Sequence, residues 1–358
     1  MKIAIVGTRG IPNNYGGFEA LAEYLAKYLS NKLDLTIFCS SKDLKTNNKF
    51  FENAKLIYIP ISSHGVKGII YDTISLIKAI KNYDKILLLG FGGGFILPFL
   101  KRYKHKIIVN IGGLDWTRSK WSRLTRKIIK ISEKNLMKNA ETIVADNIGI
   151  QKYIFDEYKR KSIFIAYGGD QAKKKLPNQQ LKNKYSFLSK PYAFCVTRIQ
   201  PDNNIEMILN AFVYQEILPL VMVGTWNNSS YGLHIRRKYE RFRNLILLDA
   251  IYDIEILDIL RSNCKIYIHG HSAGGTNPSL VEAMNLGLPI IAYSSGYNEY
   301  TTENKAIYFN NEKELANIIV NLSNYDLLKI GTDLMNIAKR KYTWEQISEQ
   351  YKNLFLEN

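Results

Sequence analysis

Short apolar runs alternate with longer amphipathic stretches along almost the whole chain. Residues 2–7, 33–39, 55–59, 85–89, 106–111, 141–145 and 162–166 are compact and rich in Val, Ile and Leu, the pattern of strands buried on both faces. Between several of them, as at 17–30 and 71–82, apolar residues recur at helical spacing. A polar, lysine-rich stretch with Pro177 interrupts the pattern at 171–190. Strands resume at 192–197, 218–223, 245–248, 266–269, 289–293 and 306–309, and a last segment, 343–355, puts Trp344, Ile347, Tyr351 and Leu354 on one helix face. Such alternation predicts parallel sheets covered on both sides. It occurs twice, which predicts an α/β chain with a first domain 1–170, a linker 171–190, a second domain 191–340 and a terminal helix 341–358 packing back on the first domain. Two such units are expected to leave a cleft at the carboxyl ends of their strands, where ligands of open α/β sheets bind.

Composition agrees with this division. A chain of 358 residues with 46% hydrophobic and 23% charged residues is long enough for two cores and is not disordered. Cys39, Cys195 and Cys264 are odd in number and form no CxxC pair, which argues against a disulfide framework or a zinc site and fits a reducing cytoplasm. Residues 1–7 read as a first strand and not as an export signal. The longest uncharged stretch, 86–100, is broken by Gly90, Gly92, Gly93, Gly94 and Pro98, so a soluble chain is expected.

The net charge of +17 changes the picture, because the surplus clusters. From 101 to 138 the acids are Asp115 and Glu133, set against a run of lysines and arginines with Trp116 and Trp121 interleaved. A basic helix with tryptophans beside it is the pattern of a membrane-surface contact, with Trp116, Arg118, Lys120, Trp121 and Arg123 as its expected face. The plainer alternative is a solvated face. No nucleic-acid motif accompanies the charge, and a nucleic-acid partner is not expected.

Three segments carry candidate chemistry. At 7–19 a strand ends in a glycine-rich loop and a helix opens at Gly16 and Gly17. Amides there could grip a phosphate, or the glycines could serve only the turn; the spacing is neither GxGxxG nor a Walker loop. At 266–284 a polar loop containing Gly274, Gly275, Thr276 and Asn277 precedes a helix with Pro278 in its first turn. Glu282 on that helix could accept hydrogen bonds from a ribose diol, or it could be a solvated helix residue. His269 and His271 invite a metal reading, but no third ligand joins them and no metal is expected. Arg198 follows the first strand of the second half, and its guanidinium suits a diphosphate; a surface arginine is the alternative.

Together these segments resemble glycosyltransferase family 4, over nearly the whole chain. More narrowly, residues 7–19, Gly113-Leu114-Asp115-Trp116, Lys120-Trp121-Ser122-Arg123 and residues 269–284 resemble a branch of bacterial polysaccharide rhamnosyltransferases. The resemblance implies the GT-B architecture, two Rossmann-like domains facing each other across a cleft, and a retaining transferase without a metal or other cofactor. Its substrates would be a nucleotide-sugar donor, dTDP-L-rhamnose or another dTDP- or UDP-sugar, and a lipid-diphosphate-linked glycan in capsule, exopolysaccharide or O-antigen synthesis. The place of work would be the inner face of the cell membrane, on an anionic surface. Arg198, with the amides of Gly16 and Gly17, would stabilise the leaving diphosphate. Asp115 would orient or deprotonate the acceptor, or else cap a helix at Trp116. Tyr252, near a strand end, is a candidate for stacking on the base.

Two departures stand out. The family's glutamate eight residues before Glu282 is Gly274 here, and its lysine after the arginine is Asn203. Their loss shifts the expected work to the amides of Gly275 and Thr276, the Asn277 side chain and Arg198. Rival readings are a same-fold enzyme with a UDP-hexose donor, a nucleotide-sugar epimerase built on His64 and Asp115, and a non-catalytic nucleotide or nucleic-acid binder.

Overall fold

A computed structural model describes residues 1–12, 16–118, 121–213, 215 and 217–357. The chain divides into two compact units, Met1–Tyr167 with Trp344–Asn358, and Gly168–Thr343.

The first unit holds an eight-stranded sheet. Its strands are β1 (Lys2–Val6), β2 (Asp34–Ser40), β3 (Phe50–Phe51), β4 (Ala54–Ile59), β5 (Lys85–Leu89), β6 (Ile107–Asn110), β7 (Thr142–Ala145) and β8 (Ile163–Phe164). They lie in the order β3-β4-β2-β1-β5-β6-β7-β8, parallel except where β3 runs against β4. The two residues of β3 are too few to show a strand period in sequence. The second unit holds a six-stranded, all-parallel sheet of β9 (Ala193–Thr197), β10 (Leu220–Gly224), β11 (Leu245–Asp249), β12 (Ile266–His269), β13 (Ile290–Tyr293) and β14 (Ile307–Phe309). Its order is β11-β10-β9-β12-β13-β14. The central strands are buried along nearly their whole length, as β1, β5 and β10 show, which is why they read as unbroken apolar runs.

Both sheets reverse direction once. From β1 the chain builds outward through β2 and β4, then returns to add β5 on the other side; from β9 it builds through β10 and β11, then returns to add β12. Ligands of open α/β sheets bind at the loops leaving the two strands that flank such a reversal. In the second unit those loops start at Arg198 and Gly270.

The C-terminal helix Trp344–Leu356 belongs to the first unit. Trp344, Ile347, Tyr351 and Leu354 are buried, Trp344 stacks on Tyr24 with ring centroids 4.3 Å apart, and the Tyr351 hydroxyl accepts from the Asn110 side chain at 2.8 Å. The stretch 171–190, expected as a connection, is folded onto the second unit. The Lys173 and Lys175 amides donate to Asp258 and Ser262 at 2.9 and 3.2 Å, and a short helix, Gln179–Lys184, follows. Its polar composition reflects a backbone satisfied by side chains of neighbouring helices, not a free tether.

Candidate functional site

In the second unit, four side chains fasten the loops at the sheet's point of reversal. Asn203 is buried, and its amide donates to Thr197 Oγ1 at 2.9 Å and to the Arg198 carbonyl at 2.8 Å. This shapes the strand end that presents Arg198. Asn203 therefore works as a clamp on the backbone and cannot stand in for the family's phosphate-facing lysine. Asn204 donates to the Gly270 carbonyl at 2.9 Å, and the Ser272 amide and hydroxyl donate to the Asp202 carbonyl at 3.0 and 2.8 Å. The loops after β9 and β12 are thus held together. Asn298, fully buried, donates to the carbonyls of His271 and Tyr293 at 3.0 and 2.8 Å and ties in the loop after β13.

Gly274 stands at φ +118°, a conformation that residues with a Cβ avoid, and a Cβ there would meet only the Asn277 side chain at 3.8 Å. Gly275 and Thr276 are buried, and Asn277 precedes the helix Pro278–Asn285 without capping it by its side chain. His269 and His271 stack face to face at 4.4 Å, within 10° of parallel. Burial pushes the His269 imidazole down to about 3, so it is neutral. Among the described residues no group of three histidines, cysteines or carboxylates stands close enough to hold a metal ion.

Glu282 is not a solvated helix residue. Its Oε1 accepts from Gln171 at 2.6 Å and its Oε2 pairs with Arg261, whose side chain is 3% exposed and also pairs with Asp258 at 2.9 Å. Burial pulls the Arg261 guanidinium down, but the charge and hydrogen bond of Glu282, together with Tyr267 and Asp258, outweigh it and hold the pKa above its ordinary value. Each carboxylate oxygen of Glu282 takes one of these contacts and retains capacity to accept a second hydrogen bond. Tyr252 lies beyond the edge strand β11 and is 64% exposed. Nothing in the sequence spacing marks Gln171, Arg261 or Asn298 as partners, because each is brought in from a different element.

In the first unit the helix Gly17–Leu29 opens at Gly16 as expected, but a carboxylate already stands beside the loop. Glu19 turns back, and its Oε1 accepts from the Arg9 amide at 3.0 Å and the Thr8 hydroxyl at 3.4 Å. Arg9 Nε lies 3.9 Å from the same oxygen, so a carboxylate and a guanidinium stand together beside this loop. Residues 13–15 of that loop lie outside the described residues.

Asp115 opens a 3-10 turn, Asp115–Thr117, after the end of β6. It does not cap that turn, because Leu114 holds the capping position; its Oδ1 pairs with Arg118 Nε at 2.6 Å. Trp116 is half-buried, its indole N–H donates to the Tyr153 hydroxyl at 3.2 Å, and its ring lies 4.6 Å from Lys130 Nζ. Trp121 is half-buried, Arg123 is exposed, and Lys120 lies outside the described residues. One group had no sequence signal: Asp72, within the helix Gly65–Ile80, is buried against Gly92 just past β5, and burial pushes its carboxyl up to about 8.

Residues 1–170 match a domain of unknown function, DUF1972, and residues 177–329 match glycosyl transferases group 1. No curated protein matches the chain in sequence. Among solved structures the chain is similar to sucrose-phosphate synthase from Thermosynechococcus elongatus, at 16% identity and a TM-score of 0.79 over 99% of this chain and 98% of that one. It is similar to HepE from Anabaena in complex with UDP, at 15% identity and a TM-score of 0.75 over 99% of each chain. It is also similar to the trehalose-6-phosphate protein from E. coli bound with UDP-2-fluoro glucose, at 10% identity and a TM-score of 0.72 over the whole of each chain. The fold is that of the GT-B glycosyltransferases. The second unit carries the glycosyl transferases group 1 domain.

Proposed function

We propose that the chain is a retaining transferase that moves a sugar from a nucleoside diphosphate sugar to a lipid-diphosphate-linked glycan, with dTDP-L-rhamnose as donor, in the synthesis of a surface polysaccharide. The observation that carries this reading is the fastening of the Arg198 backbone and of residues 270–272, where the 270–277 loop begins, at the point where the second sheet reverses. Donors fixed before the reaction stabilise developing charge without reorganising during it.

In this reading the glycosidic bond to the diphosphate breaks through a transition state of oxocarbenium character. The charge gathering on the leaving phosphate is met by the Arg198 guanidinium and the amides of Gly275 and Thr276. The amides of Gly16 and Gly17 assist. The Asn277 side chain, unused as a cap, serves the sugar hydroxyls. Asp115 receives the acceptor's hydroxyl proton, with Arg118 fixing the carboxylate.

A UDP-hexose donor is the second reading, and Glu282 favours it. A carboxylate with one open lone pair on each oxygen suits the two hydroxyls of a ribose, whereas the sugar of dTDP lacks the 2′-hydroxyl. Thermal-shift measurements against a panel of dTDP- and UDP-sugars separate the two, because a ligand that binds only the native state raises its midpoint. Arg198→Ala should then lower turnover by on the order of a hundredfold with the preferred donor, as expected for roughly 3 kcal/mol from one charge-assisted contact. An unchanged rate in a folded variant would remove Arg198 from the mechanism.

A further inference from the structure

The helix Arg123–Asn139 turns one side inward, burying Ser132, Glu133, Leu136 and Met137. Its outward stripe runs Leu124, Lys127, Ile131, Lys134 and Lys138, spaced three and four residues apart and therefore on one face. Leu124 is 69% exposed and Ile131 is 53% exposed. The segment 97–99 packs against this helix and ends in Phe99, which is 82% exposed; the exposed cations Lys101 and Arg102 follow directly.

The helix has one acid, and it is hidden. Glu133 is fully buried, with its Oε1 accepting from the Tyr153 and Tyr158 hydroxyls at 2.5 Å each and facing Lys130 at 3.3 Å. The outward face is therefore cationic without internal compensation; Leu124 and Ile131 stand among its charges, and Phe99 stands on the segment packed beside the helix. Single exposed apolar residues are ordinary. A cationic frame around several of them on one face is the composition of an interfacial helix, which sinks its apolar side chains into the headgroup boundary while its lysines meet anionic lipid. The polyanionic backbone of a nucleic acid would satisfy the lysines but leave Phe99, Leu124 and Ile131 without a partner.

We infer that Phe99, Leu124 and Ile131, framed by the lysines of this face, dock the first unit on an anionic bilayer. The inference rests on the proposed lipid-linked acceptor and names the surface that reaches it. It also moves the contact away from Trp116 and Trp121, which are half-buried in the unit.

The test is flotation of the full chain with phosphatidylcholine vesicles, with and without phosphatidylglycerol, alongside titration of a nucleoside diphosphate. The wild type should float only with the anionic vesicles and be released by high salt. A Phe99→Ser, Leu124→Ser, Ile131→Ser triple variant should lose roughly tenfold or more in vesicle affinity, and so should Lys127→Glu with Lys134→Glu, each with unchanged nucleotide affinity. Trp121→Phe should float as the wild type does. Flotation of the triple variant at wild-type affinity, equal binding to neutral vesicles, or binding to RNA in place of vesicles would each overturn the inference. Loss of vesicle binding with nucleotide binding and donor turnover intact leaves the transferase reading standing; absence of any nucleotide binding sinks that reading by itself.

Discussion

The pairing of Glu282 with Arg261 makes a quantitative prediction, because two roles for that carboxylate differ in what they cost. Glu282 accepts from Gln171 at 2.6 Å and pairs with an Arg261 side chain that is 3% exposed. Asp258 holds the same guanidinium at 2.9 Å and is equally buried. Glu282→Ala leaves Arg261 with one of its two carboxylates and leaves the Gln171 amide without its acceptor. Breaking a buried ion pair costs about 3–5 kcal/mol, and the remaining Asp258 puts this case near the lower end, about 3 kcal/mol. Glu282→Gln keeps the shape but turns a charge-assisted hydrogen bond into a neutral one and sets two amides against each other, for about 2 kcal/mol. In a domain of this size 1 kcal/mol corresponds to roughly 2–4 °C, so the alanine variant should melt roughly 6–12 °C lower and the glutamine variant roughly 4–8 °C lower. The assay is calorimetry of the full chain, following the transition that a nucleoside diphosphate shifts. A ligand role is read separately, by comparing UDP with 2′-deoxy-UDP. If Glu282 also accepts the 2′-hydroxyl, the wild type prefers UDP by roughly tenfold and Glu282→Gln erases the preference. An alanine variant that melts with the wild type would refute the network, and wild-type indifference to the 2′-hydroxyl would refute the ribose contact.

Two further substitutions test the geometry directly. Asn203→Lys restores the residue that the wider family carries, yet here it should destabilise the chain by about 2–4 kcal/mol and fail to improve donor binding, since it removes two hydrogen bonds and buries an ammonium; a thermal melt and a nucleotide titration check both halves. Asp72 has its pKa raised by burial to about 8, so the folded state binds a proton that the unfolded state has released, and stability falls as pH rises from about 4 to about 8. Asp72→Asn should therefore gain about 3 kcal/mol relative to the wild type between pH 5.5 and pH 8, at about 1.4 kcal/mol per pH unit; urea unfolding at the two pH values that showed a constant difference between the proteins would refute the buried neutral carboxyl.

The strands were legible because parallel strands buried on both faces leave unbroken apolar runs, and so was the inward face of the last helix, where Trp344, Ile347, Tyr351 and Leu354 are all buried. Arg198 could be found as a cation at a strand end. What remained hidden depends on elements distant in sequence. Arg261 and Glu282 sit on different helices, and Gln171 lies in a stretch whose composition suggested a linker. The basic region conceals its packing for a different reason. Tryptophans signal an interface when exposed, but Trp116 is engaged by Tyr153 and Lys130. The outward stripe 124, 127, 131, 134, 138 was present in the sequence, but Ile128, Ile129, Leu136 and Met137 supply an equally apolar helix face. Only packing decides which of the two turns to water.

The two departures from the family pattern have a common physical consequence. At Asn203 the side chain is consumed by the strand end, and at Gly274 there is no side chain at all. Neither position can offer a charge to a ligand, so in the proposed reading sugar recognition passes to the amides of Gly275 and Thr276 and to Arg198. Nor is the missing glutamate a simple point loss. At φ +118° a glutamate at position 274 would be strained even though the space beside it is open, so putting the side chain back would also require the loop to take another path. The loop conformation and the absence of that carboxylate are one feature, and in the proposed reading a donor bound there is selected by where its oxygens meet backbone N–H groups. A sugar with fewer hydroxyls to satisfy, such as a 6-deoxyhexose, forfeits least in such a site.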